Sequence, residues 1–245
     1  MKSFDYIVES FDLLYSTSNT LFSSMISLSS KISNGCGGNY THIALCLKGD
    51  LFPLGTKFKN HTIDPNKMYL FESVIKTELE GKNIFGDYFN GVQLRDFDDV
   101  LYNLTQLKKN NIVKKIGIAK LNMETKLFIN EYFYLETNKQ KFYNYINKLI
   151  GKQYNNNWID LLYVPFHNFQ IVKMLKTIKN NICGKTKGIL CSELIGMIYL
   201  HIGLLDECVN LLHILPEDFL QKTEYETFDI DNEIPVFYEP IIEIH

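Results

Sequence analysis

One short run constrains the fold more than any other. Residues 41–47, Thr-His-Ile-Ala-Leu-Cys-Leu, lie between the Gly-rich stretch Asn34-Gly35-Cys36-Gly37-Gly38-Asn39 and the break Lys48-Gly49-Asp50. A bounded apolar run of this length reads as a β-strand. Period-two alternation puts His42, Ala44 and Cys46 on one face and Ile43, Leu45 and Leu47 on the other. The chain must therefore build a sheet around a strand that carries a histidine.

The remaining elements follow from periodicity and punctuation. Residues 11–15 read as a short strand, and 19–33 as a helix with Ser18 or Asn19 as its N-cap. The segment 48–67, with Pro53, Gly55 and Pro65, reads as an insertion or long turn. Strands are expected at 68–75, with Leu70, Glu72 and Val74 on one face, at 91–95 and at 113–121. Helices are expected at 96–104, where acidic residues suit the positive end of the dipole, at 126–135 and at 139–150, closed by Gly151. The stretch 167–187 looks peripheral and basic, and 189–203 reads as a buried helix. A short helix starts at Pro216, and a last strand lies within 236–244, demoted to an edge by Pro240. Strands in meander order mixed with helices make an α+β fold, a small antiparallel sheet packed on helices, and not a doubly wound sheet. The 245 residues suit a single domain, with the insertion near 48–67 and the peripheral segment near 167–187.

Composition removes several classes of function. The net charge is −3, and the basic clusters (Lys108-Lys109, Lys114-Lys115 and the spaced Lys173, Lys176 and Lys179) read as solvated faces and not as a nucleic-acid groove. The most apolar stretch, 188–205, contains Glu193 and His201 and falls short of a transmembrane span; the N-terminal residues are interrupted by Asp5, Glu9 and Asp12 and do not form a secretory signal. Five irregularly spaced cysteines, Cys36, Cys46, Cys183, Cys191 and Cys208, read as reduced thiols in a cytosol-like compartment, with no CxxC pair for a structural zinc.

The sharpest chemical signal is Gly188-Ile-Leu-Cys-Ser-Glu-Leu194. Cys191 stands where a loop turns into an apolar helix. Free amides at a helix N-terminus favour an anion and can donate to an oxyanion in acyl transfer. A nucleophilic Cys also needs a base and a group that orients the base, and His42 and Glu72, on successive strands, can supply both. Cys183 is the rival nucleophile, but no apolar helix follows it. Cys46 shares a face with His42 and reads as core, and Glu193 as a structural cap. If Glu72 were only a strand residue, Asn155 or Glu193 would be the alternative orienting group.

Three motifs, Tyr40-Thr-His-Ile-Ala44, Tyr69-Leu-Phe-Glu-Ser73 and Leu190-Cys-Ser-Glu-Leu-Ile195, together resemble the permuted NlpC/P60-type cysteine hydrolases, a papain-like group with YiiX-like bacterial and poxvirus branches. Gly151-Lys-Gln-Tyr154 is similar to the family's Gly-Lys-x-Tyr step, and Leu215-Pro-Glu-Asp-Phe219 to its Pro-x-Asp-Phe segment. Asn155 stands where the family usually has Asp, and Ile189 and Leu190 where an aromatic residue often precedes the Cys. The resemblance covers residues 11–220 and implies a circularly permuted papain-like fold. It also implies a Cys191 nucleophile, a His42 base and an orienting Glu72, with Ser192, Thr41 and Tyr40 as substrate or oxyanion residues. It implies no metal and no cofactor, and a peptide or acyl-lipid substrate. The expected reaction is hydrolysis of an amide or ester through a thioester. The alternatives are a lipid acyl hydrolase or acyltransferase with the same triad, and an inactive binding module. The sulfur of Cys191 and a ring nitrogen of His42 are expected within about 4 Å. Abundant Asn, Lys, Ile and Tyr with few Ala and Arg point to an AT-rich genome. With the resemblance, this fits a large DNA virus or an intracellular bacterium, and a cytoplasmic location, the host cytoplasm or the virion if viral.

Overall fold

The computed structural model describes residues 8–18, 24, 40–75, 81–155, 188–207, 209, 211, 214–219 and 241–244. The expected helix at 19–33, the peripheral segment 167–187 and most of the expected strand at 236–244 lie outside the described residues, as do Cys36, Cys183 and Cys208.

The fold is α+β. A six-stranded antiparallel sheet is built from β1 (Leu13–Ser18), β2 (His42–Lys48), β5 (Met68–Val74), β6 (Gly91–Asp96), β7 (Val113–Ala119) and β8 (Ile242–Glu243), in the order β6-β5-β2-β1-β7-β8. A separate hairpin pairs β3 (Lys57–Phe58) with β4 (His61–Thr62). Helices α1 (Phe97–Lys109), α2 (Met123–Tyr134), α3 (Glu136–Leu149) and α4 (Cys191–Ile202), with short 3-10 helices at Gly49–Leu51 and Pro216–Phe219, complete the described elements. None of them is long and apolar enough to cross a membrane.

The alternation read in the sequence divides the core in two. Ile43, Leu45 and Leu47 of β2, with Phe71 of β5, pack in one cluster with residues of α3 and α4. Ala44 and Cys46, with Leu70 and Val74, pack in the other with Phe97, Val100, Leu101 and Leu104 of α1. The sheet is thus covered on both faces, which is why its strands are apolar on both.

Several element ends differ from the sequence reading, α1 running on to Lys109 among them, and three of the differences have a local reason. The first strand begins two residues late because Phe11 takes a positive φ of 69°, costly for a bulky side chain, while its ring is fully buried near Phe133, Phe142 and Tyr199. Helix α2 starts earlier than expected because Asn122 caps it, its side-chain oxygen accepting from the Thr125 amide at 2.8 Å. The segment 48–67 belongs to the core. Phe52 and Phe58 meet edge to face at 5.4 Å, and Phe52 stacks on Phe142 of α3 at 5.8 Å. No period marks two anchors six residues apart in a turn-rich segment.

Candidate active site

Helix α4 is the most apolar of the described α-helices, burying Leu194, Ile195, Ile198, Tyr199 and Ile202 between the sheet and its neighbours. It ends at Gly203, whose φ of 84° is the left-handed closure glycine allows. At the other end the N-cap is Leu190, which has no side-chain acceptor. One reciprocal bond remains, with the Glu193 carboxylate accepting from the Leu190 amide at 3.1 Å. Helix geometry leaves the first-turn N–H groups, around Cys191 and Ser192, without intrahelical acceptors.

The residues before Cys191 are fixed from three sides. The Ile189 carbonyl accepts from the Ser73 hydroxyl at 2.7 Å and from the Asn155 amide at 3.2 Å, while the Ile189 amide donates to the Gln153 carbonyl at 3.0 Å. Segment 151–155 is itself held on β6, where the Val92 amide donates to the Lys152 carbonyl at 2.8 Å. Gly188 makes the approach feasible, since a Cβ there would stand 2.6 Å from the Asn155 backbone. The Gly-Lys-x-Tyr step thus has a mechanical role as the brace of the strand that delivers Cys191.

His42 opens β2, and Glu72 lies near the far end of β5. The ladder between these strands covers only Leu45–Lys48 against Phe71–Met68, so it stops short of both residues. Helix α4 packs against β2 and β5. There the imidazole Nε2 lies 2.9 Å from Glu72 Oε2, and the Cys191 side chain is near enough to the ring to act on its protonation. With Nε2 engaged by Glu72, Nδ1 is the nitrogen left for the sulfur. All three residues are buried. Burial opposes a charge on His42, but hydrogen bonds to Cys191 and Glu72, with the negative charges of both, push its pKa up to about 10. Burial likewise opposes the charge on Glu72, yet Arg95 and His42 hold its carboxyl below the usual range.

The other expected site residues are placed differently. The Ser192 hydroxyl donates to the Ile214 carbonyl at 2.6 Å, so it ties α4 to the 214–219 segment. The Tyr40 phenol lies 3.4 Å from Glu243 Oε1, away from Glu72 across β1 and β7, with its ring against Tyr15. Thr41 is buried, and its Oγ1 has no hydrogen-bond partner among the described residues. The Glu193 carboxylate serves the cap, and the Asn155 backbone amide serves the brace.

Sequence reasoning missed Arg95. Its Nη1 donates to Glu72 Oε1 at 2.8 Å, and both side chains are about 1% exposed. The signal was present in β6. Val92 and Leu94 form its apolar face, and Gln93 and Arg95 share the opposite face, which register sets beside Glu72 and Leu70. The central carboxylate thus takes one partner from each neighbouring strand, His42 from β2 and Arg95 from β6.

Comparison with known protein families, curated proteins and solved structures gives no match for this chain.

Proposed function

We propose that the chain is a cysteine hydrolase of the permuted NlpC/P60, papain-like kind. The observation that carries this reading is the single imidazole that hydrogen-bonds a buried carboxylate on one side and has a cysteine at a helix N-terminus beside it.

The resting site holds His42 as imidazolium beside the Cys191 sulfur. The thiolate adds to a carbonyl carbon, forming a C–S bond, and the oxygen takes the negative charge. First-turn amides of α4 donate to that oxyanion. As the tetrahedral adduct collapses, His42 gives its proton to the leaving amine or alcohol and the acyl group remains as a thioester. The neutral imidazole then takes a proton from water, whose oxygen attacks the thioester and releases the acid and the thiolate. Glu72 keeps the ring in one orientation and stabilises the imidazolium at each turn. Amides of peptides or of acyl lipids are the substrate class in view. Transfer to a non-water acceptor would use the same first half-reaction, and the product formed distinguishes the two.

The test needs no known substrate. The native chain is labelled near neutral pH with a thiol-directed activity probe and the modified residue is mapped. Labelling is expected at Cys191, slowed about tenfold or more by His42→Ala. Equal labelling of Cys191 and Cys183, or an unreactive Cys191, would overturn the assignment.

A further inference from the structure

Arg95 is among the largest fully buried side chains of the described residues, and its Nε has no hydrogen-bond partner among them. Stability does not explain it, because a buried ion pair typically gains nothing over apolar packing of the same volume. The guanidinium is held from both sides. Nη1 is on Glu72 Oε1 at 2.8 Å, and a Cβ at Gly81 would stand 2.0 Å from Nη2, so only glycine lets the chain pass so close.

We propose that Arg95 is a positioning residue of this site, fixing Glu72 and supplying the fourth charge that lets thiolate, imidazolium and carboxylate coexist in a buried place. The proposal rests on the reading of Cys191 as the nucleophile. From α4 to β6 the charges alternate: sulfur negative, imidazolium positive, carboxylate negative, guanidinium positive. Their sum is zero. Without Arg95 the sum is −1, which burial penalises. The site relieves that charge by taking up a proton, on the sulfur or on Glu72. A proton on the sulfur removes the nucleophile, and a proton on Glu72 removes the charge that holds the imidazolium. Cys191 on α4, His42 on β2 and Glu72 on β5 are the titratable groups on the inner side of Arg95. On its outer side a cleft of about 540 Å³ carries His61, Lys67, Lys82, Asp96 and Asp99, and Lys67 is paired with Asp96 at 3.0 Å. Those groups border solvent, so the buried partner Glu72 dominates.

The test is the pH profile of Cys191 alkylation by iodoacetamide, a neutral reagent, in the full chain, read by mass spectrometry. Arg95→Met is expected to move the profile upward by about one pH unit, so alkylation on its acid limb is about tenfold slower. The double variant Arg95→Met/Glu72→Gln is expected to react within about threefold of Glu72→Gln alone, because a guanidinium that acts through the Glu72 carboxylate has nothing left to act on. A merely structural arginine would add its own loss in the double variant, and its loss would expose Cys46 as well. A folded Arg95→Met with the wild-type profile, or a double variant in which the two losses add, overturns the proposal. If Arg95→Met alone does not fold, Arg95→Lys carries the test. It keeps the charge but not the planar guanidinium whose Nη1 reaches Glu72 Oε1, and is expected to be about threefold slower on the acid limb. A wild-type profile in Arg95→Lys then overturns the proposal. Failure of the nucleophile reading looks different: wild-type Cys191 would react no faster than Cys46, or His42→Ala would leave its rate unchanged.

Discussion

Asp12, just before β1, and Glu72, on β5, are both buried carboxylates, and they are held in opposite ways. Asp12 is engaged mainly by backbone. Its carboxylate accepts from the Glu9 amide at 2.7 Å and the Leu121 amide at 3.1 Å, and pairs with Lys120 at 2.7 Å. Burial still pushes its pKa above the ordinary value. Glu72 takes its identified partners from side chains, one cation and one imidazole, and they hold its pKa down despite equal burial. A carboxylate anchored to amides fixes the path of the chain. A carboxylate anchored by a guanidinium keeps its charge and can share it with a group that changes protonation. The two thiols repeat the contrast. Cys46 lies in the core, where burial and the charge of Asp12 push it well above its usual range, whereas Cys191 has an imidazole on it.

The largest expected effect separates the thiols. Cys191→Ala is expected to remove turnover by about 1000-fold or more on any substrate found by screening, with the fold kept. Alkylation of the native protein should leave Cys46 untouched over the time that modifies Cys191. Comparable rates at the two would erase the distinction drawn between them.

The carboxylates separate next. Glu72→Gln keeps the shape and removes the charge, and is expected to lower turnover by about 10- to 100-fold, less than Cys191→Ala, in a folded protein with a less basic His42. Undiminished turnover in a folded Glu72→Gln, checked by thermal melting, would make Glu72 a strand residue like any other. Asp12→Ala should do the reverse. It leaves the buried Leu121 amide and the half-buried Glu9 amide without their acceptor and Lys120 without its partner, and is expected to cost about 2–4 kcal/mol in urea unfolding, while Cys191 alkylation stays within about twofold. A stable Asp12→Ala, or one with an impaired thiol, would break the comparison from the other side.

The smallest effect is a pH dependence. His42 has a folded pKa of about 10, above its unfolded value of about 6.5, so its stabilisation is complete below about pH 6.5 and is lost as pH rises through about 10. Glu72 is shifted down, so its contribution is present above about pH 4.5 and fades as pH falls further. The stability difference between wild type and Glu72→Gln should therefore be widest near about pH 5.5–6.5 and narrow on both sides. Urea unfolding at about pH 4, 6 and 9 measures it, and a difference that does not change with pH would mean that His42 and Glu72 are not coupled.

The order of elements, the alternation of β2 and β5 and the apolar helix behind Cys191 were determined by the sequence itself. Each depends on local periodicity, and burial on both faces of the sheet rewards the same residues that periodicity marks. The residue types of the site were legible as well, because a cysteine ahead of an apolar helix and a histidine and a glutamate on successive strands stand out locally. Only the tertiary structure decided the rest. Ladder register brings Arg95 to one side of Glu72, the start of β2 beyond the ladder brings His42 to the other, and the brace through Ile189, Asn155 and Ser73 sets where Cys191 arrives. It also turns the hydroxyls of Ser192 and Tyr40 toward Ile214 and Glu243. These are contacts between residues far apart in the chain. Their geometry depends on how strands pair and layers pack, and no local pattern of residue types encodes it.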